Sequence, residues 1–198
     1  MAEDTPAPVV EAPEWVAAEM PPGYQTRRWE IQRMTAELDA MDRVARVLWS
    51  TGEPLKDAVA AAFTALRCEV EAAAAPGGPL VARLGDSRRM LVVVAGAAGP
   101  IPKSDESLAR AFAAIQSAGT GDRVVFVATS DPASPPAGRP DPLQPDALAV
   151  LERIGVTVVA ATTLFRLWRL AGEDPPKGGK ALERLHAQEG GPFSLPAR

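Results

Sequence analysis

Apolar residues recur along this chain in three distinct rhythms. From Ile31 to Leu48 the intervals alternate between three and four (Ile31, Met34, Leu38, Met41, Ala45, Leu48), the a/d spacing of a helix with a narrow apolar seam. That spacing predicts one long helix over about Thr26 to Trp49. Asp39–Arg43 and Asp42–Arg46 add favourable i,i+4 pairs on its outer surface. Val44, Val47 and Trp49 widen the stripe near the end, as in a helix that packs on its own domain. Pairing with another helix and packing within the chain both remain open. A parallel self-pairing would set Glu37 against Asp42 of the second helix, which repels; an antiparallel pairing also stays open.

The second rhythm is short and dense. Cys68-Glu-Val-Glu-Ala alternates and reads as an edge strand. Leu80–Leu84 reads as a strand, Gly85-Asp-Ser as a hairpin turn, and Met90–Ala95 as a strand buried on both faces. Arg123–Thr129 reads as another central strand and Val156–Ala160 as a further strand.

Helical segments with broader stripes make the third rhythm. Glu53–Leu66 carries Leu55, Val59, Ala62, Phe63 and Leu66, with Pro54 in the tolerated first turn. A helix opened by Ser104 and first-turn acids has Leu108, Phe112 and Ile115 as its expected inner side. Ala147–Ile154 and Thr162–Leu170 are the last two, the latter with Leu164, Phe165 and Trp168 facing inward. Asp131–Pro145, with six prolines, is a long surface loop. Three strands in a meander followed by strand–helix alternation imply an α/β fold whose mixed central sheet is flanked by helices.

The ends read differently. Residues 1–24 form an acidic, proline-bearing arm with five acids and no Lys or Arg, expected to be disordered. Trp15 stands in it among acids, either as a docking aromatic or as an incidental one in a solvated tail. The organisation expected is thus an arm (1–24), a long heptad helix (25–50), a folded domain (51–171) and a flexible tail (172–198).

Composition narrows the chemistry. With 198 residues and 46% hydrophobic content, the chain suits one domain of ordinary size. No apolar run approaches the ~20 residues that span a bilayer, and the start is not that of a signal peptide, so a cytoplasmic setting is expected. One cysteine, Cys68, and one histidine, His186, make neither an internal disulfide nor a Cys/His zinc site. The net charge of −4 argues against a chain built as a whole for nucleic acid. Arg27, Arg28, Arg33, Arg43 and Arg46 are interleaved with Glu30, Glu37, Asp39 and Asp42, a mixed solvated surface. The strand–bend–Lys103-Ser104 sequence has the outline of a phosphate-binding loop, but Ala97 and Pro102 stand where glycines are required. Gly178-Gly-Lys180 is a weaker echo of the same pattern.

The helix–meander–helix–strand order, an αβββαβ core, resembles the restriction-endonuclease-like fold of the PD-(D/E)XK superfamily. Leu48-Trp-Ser-Thr-Gly-Glu-Pro-Leu-Lys-Asp-Ala-Val, leading through a helix to Cys68-Glu-Val-Glu, is similar to the lead-in of its prokaryotic members. Asp141-Pro-Leu and Gly155-Val-Thr-Val-Val-Ala-Ala-Thr-Thr-Leu-Phe-Arg-Leu are similar to their closing helix–strand–helix. The resemblance covers about residues 48–170. It implies an acid at the start of the second strand and a Glu-x-Lys triplet on the third, which hold Mg²⁺ and place the attacking water. Carried onto this chain, the acid falls on Pro79 or a neighbour and the triplet on Val93-Val94-Ala95. None of these binds a metal. Glu53, Glu69, Glu71, Asp86 and Asp105 are the nearby replacement acids.

The reading implied is a degenerate, non-catalytic member without metal or cofactor, acting as a bacterial protein-interaction or regulatory module. Its expected contacts are Trp15, Ile31, Met34, Leu38 and Met41, toward a protein partner or a second copy. A nucleic-acid-binding protein without cleavage is the alternative, and an active nuclease with relocated acids the third.

Overall fold

In the computed structural model, the residues described are 13, 15–71, 77–85 and 88–196. Two compact units divide at Asp39–Ala40. The first holds a four-residue helix, α1 (Val16–Glu19), and most of a long one, α2 (Tyr24–Ala45). Between them Gly23 takes φ +86°, a backbone conformation that L side chains resist. Every residue from 21 to 43 is exposed, and Val44 is the one buried residue of α2.

The second unit begins as α2 ends. The long helix gives way to a 3-10 turn at Arg46–Leu48, short of the expected end at Trp49. Then come α3 (Gly52–Ala65), β1 (Glu69–Glu71), β2 (Leu80–Leu84), β3 (Arg88–Ala97), α4 (Glu106–Ser117), β4 (Arg123–Ser130), α5 (Pro145–Arg153), β5 (Thr157–Ala160), α6 (Ala161–Glu173), α7 (Pro175–Ala187) and β6 (Gly191–Pro192). The six strands form one sheet in chain order, β1 to β6. β2 is antiparallel to both its neighbours, while β3 to β6 run parallel.

Alternation along the strands divides the core in two. Met90, Val92, Val125, Val127 and Val159 face α3, α6, α7 and the 3-10 turn, meeting Leu55, Val59, Phe63, Leu164, Leu167, Leu182 and Leu185. Leu91, Val93, Ala95, Phe126, Ala128 and Val158 face the other way, toward Leu108, Ala111, Ala147 and Leu151 of α4 and α5. The result is three layers, helix–sheet–helix, with β3 and β4 buried on both faces as their unbroken apolar runs predict.

Three expectations fail here. The tail after Gly172 is part of the fold: α7 buries Ala181, Leu182 and Leu185, β6 pairs with β5, and Phe193 is buried. Its prolines and glycines are structural, since Asp174 caps α7 by accepting from the Lys177 N–H at 3.1 Å and Pro175 occupies the first turn. Phe112 is 42% exposed, because α4 turns Ser107, Leu108, Ala111 and Ala114 inward instead. The cap of α4 is Asp105 and not Ser104: its Oδ1 accepts from the Ser107 N–H at 2.9 Å and the Ser107 Oγ–H at 2.6 Å.

Candidate functional site

The strand register brings together the positions where the resemblance places catalytic groups. Leu80 pairs with Val92, so Pro79, just before β2, comes level with Val93. Val93 (2% exposed) and Ala95 (6%) point into the α4/α5 core, while Val94 packs against the opposite one. In β4, Phe126 stands beside Val93 and Ala128 beside Ala95. Side chains at 93 and 95 therefore sit in hydrocarbon rather than in a cleft open to a phosphodiester. Gly96, which follows, is closely approached: a Cβ there would lie 3.0 Å from the side chains of both Leu55 and Thr129, tight enough that they would have to shift.

The replacement acids are dispersed. Glu69 and Glu71 share one exposed face of the edge strand β1, Glu69 opposite Arg83 and Glu71 ion-paired to Arg83 at 3.3 Å. Glu53 is exposed on α3, 3.9 Å from Lys56, and Asp105 is engaged as the α4 cap. Asp86 lies outside the described residues. Among the described residues no three His, Cys, Asp or Glu side chains gather as metal ligands would.

The other readings of the sequence find definite places. The bend after β3 does not cradle a phosphate: the Ile101 N–H donates to the Pro142 carbonyl at 3.0 Å, and Lys103 reaches Asp146 at 3.7 Å. Cys68 is buried between α3 and β1, and desolvation pushes its thiol up to about 11, the reverse of an activated nucleophile. His186 lies on α7 rather than in a solvated tail. Burial first, then the charges of Arg123 and Arg88, hold its pKa below the ordinary imidazole value, against an opposing pull from Asp122. Its Nε2 is enclosed without a hydrogen-bond partner.

Among several surface concavities, one lies where the sheet ends. At the C-terminal ends of β4 and β5, a cleft of about 240 Å³ is lined by Thr129, Ser130, Arg139, Asp141, Thr162 and Thr163. The C-terminal edge of parallel strands is where open α/β sheets present ligand sites. Here the proline-rich loop occupies much of that edge. Arg139 is turned inward on it, with Nε on the Ser134 carbonyl at 2.9 Å and Nη2 on the Pro132 carbonyl at 3.4 Å. Ser130 Oγ donates to the Pro140 carbonyl at 2.7 Å. Arg139 thus closes the loop on itself, and Ser130 ties it to the end of β4.

The interaction residues named from sequence remain on the surface. Ile31, Met34, Leu38 and Met41 are 65, 57, 61 and 51% exposed, in line along α2, and Trp15 is 68% exposed just before α1. Trp29 is also exposed; the Arg33 guanidinium stacks 5.8 Å over its ring. Compared with protein-family models, curated proteins and solved structures, the chain matches none. Among the described residues no helix is long and apolar enough to cross a membrane.

Proposed function

We propose that this chain is a restriction-endonuclease-like domain that has exchanged its metal site for hydrocarbon and serves as a bacterial interaction module. Two observations support the descent. α3, the β1–β3 meander, α4 and the parallel strand β4 follow one another in the αβββαβ order of that superfamily. The positions corresponding to its two metal-binding acids and its water-placing lysine are Pro79, Val93 and Ala95, the latter two inside an apolar layer.

The observation that carries the interaction role is the uncovered stripe of Ile31, Met34, Leu38 and Met41 on a 22-residue helix that buries one residue. Soluble proteins scatter exposed apolar side chains singly; a continuous line of them marks a surface that another chain covers. A helix of this length gains most of its stability from packing such a face.

The test is retention of a stoichiometric protein by the immobilised full-length chain, compared with Met34→Glu and Leu38→Glu. Both exposed substitutions are expected to abolish retention while leaving thermal stability unchanged; equal retention by all three would sink the reading. Duplex DNA affinity that falls steeply with salt would favour the nucleic-acid alternative. Mg²⁺-dependent cleavage lost on Glu69→Ala or Glu71→Ala would establish the nuclease.

A further inference from the structure

Resting on that reading, we infer that the chain covering the α2 stripe is a second copy of this one, laid antiparallel. Taking Ile31 and Leu38 as a positions makes Met34 and Met41 d positions, Arg28, Thr35 and Asp42 e positions, and Glu30, Glu37 and Val44 g positions. In an antiparallel pair, a residues meet d residues of the other helix, and e meets e and g meets g.

One register is self-complementary about a two-fold axis, the commonest symmetry of homodimers. It packs Ile31 against Met41 of the second copy and Leu38 against its Met34, giving four apolar layers with every stripe residue used. Arg28 then faces Asp42 of the other copy, twice by symmetry, and Thr35 faces Thr35. Glu30 meets no charged residue, since the g position at its level, Val44, is already buried in the core of its own chain. The one like-charged meeting, Glu37 with Glu37, is already offset, because each Glu37 carboxylate holds Arg33 of its own helix at 2.6 Å.

The parallel alternative fares worse. It repeats the Glu37–Asp42 repulsion twice and leaves Arg28 without an acid opposite. The seam from Ile31 to Met41 is only ~15 Å long at the helical rise. The dimer is therefore a modest one, of the kind that dissociates in a measurable concentration range.

Sedimentation equilibrium of the full-length chain from about 1 to 500 μM, well across the range of weak specific association, is the deciding measurement. It is expected to show a reversible monomer–dimer equilibrium. Leu38→Glu removes two leucines per dimer from the seam and is expected to raise Kd by more than ~100-fold. Arg28→Glu weakens it by roughly 3- to 10-fold, and adding Asp42→Arg restores it.

Direction is read separately. Thr35→Cys, oxidised at low concentration, is expected to form a disulfide-linked dimer, because only the antiparallel register sets residue 35 against itself. A dimer that Thr35→Cys fails to cross-link, or that Arg28→Glu leaves unchanged, overturns the antiparallel assignment. A chain that stays monomeric to 500 μM overturns self-association altogether. If such a monomer still retains a stoichiometric protein that Leu38→Glu loses, the interaction reading survives its failure; if the two proteins behave alike, both fall.

Discussion

Gly178 lies directly against Ala171, where α7 crosses α6. A Cβ built on Gly178 would overlap the Cα and Cβ of Ala171 and stand 2.9 Å from its backbone nitrogen. Glycine ordinarily weakens a helix interior by about 1 kcal/mol relative to alanine. Here its missing side chain allows the two helices to touch, and that contact brings Leu182 and Leu185 into the core.

Adding atoms at that crossing therefore has the opposite sign from helix propensity. Gly178→Ala is expected to destabilise the fold by about 1–3 kcal/mol, as overpacking does, and Gly178→Val by more. Gly179, whose Cβ would meet nothing within 4 Å, serves as the control. Gly179→Ala is expected to be neutral or slightly stabilising. Urea unfolding of the three proteins checks the contrast, and equal midpoints for the two alanine variants would contradict the close-packed crossing.

Cys68 predicts a reactivity and a pH dependence together. Its thiol, raised from 9.0 to about 11 by burial, is expected to resist alkylation at pH 8 in the folded chain and to react at the free-thiol rate in denaturant. Because the folded-state value lies above the unfolded one, the buried thiol's contribution to stability is complete below about pH 9 and lost as pH rises toward 11. Cys68→Ala is expected to remove that alkaline component, at a cost in packing seen at every pH.

The parts of the fold legible in the sequence are those where one kind of side chain fills one kind of position. Met90–Ala95 and Val124–Ala128 are apolar throughout because both faces of their strands are covered, and each run follows directly on an arginine where the strand leaves solvent. The α2 stripe was legible for the same reason, as was the absence of charge at Val93 and Ala95. What misled was composition read without position. Pro175, Pro176, Gly178 and Gly179 suggest a loose tail by their numbers. By their places they are a helix start after Asp174 and a close crossing, and Ala181, Leu182, Leu185 and Phe193 supplied the apolar signal. On α4 size is no guide to burial: Phe112, the largest side chain of the helix, stays 42% exposed. The sheet instead takes the small side chains of Ser107, Ala111 and Ala114, which let the helix approach. The cleft at the ends of β4 and β5 has no signature in the chain because its walls come from two separate stretches, within 128–142 and at 160–163.

His186 gives the acid limb of the stability profile. The imidazole's folded-state pKa lies below its ordinary value, by burial and by the nearby Arg123 and Arg88. Folding therefore favours the neutral ring, and that contribution is present above about pH 6.5 and lost as pH falls through the depressed value. The melting temperature is expected to drop as pH falls below 6.5. In His186→Gln, which keeps a polar side chain of similar reach but does not titrate, the drop over that interval should be smaller. Identical profiles for the two proteins would mean that another group governs acid sensitivity there.

Placing an acid at a position named by the resemblance tests whether the apolar layer there can accommodate a metal-binding carboxylate. Val93→Asp places a carboxylate where Val93 now meets the α4/α5 core at 2% exposure. An unpaired buried charge of this kind costs about 3–5 kcal/mol, a large part of the stability of a domain this size. The carboxyl answers by rising in pKa, so this variant should be most stable at acid pH and lose stability as pH rises above the ordinary aspartate range. Mg²⁺ is expected to give no recovery, because among the described residues no second carboxylate stands beside residue 93: Glu69 and Glu71 belong to β1, two strands away and turned to Arg83. Thermal unfolding of Val93→Asp at pH 4 and pH 8, with and without Mg²⁺, distinguishes the cases. Metal-dependent stabilisation at pH 8 would mean that the acids of the edge strand reach residue 93.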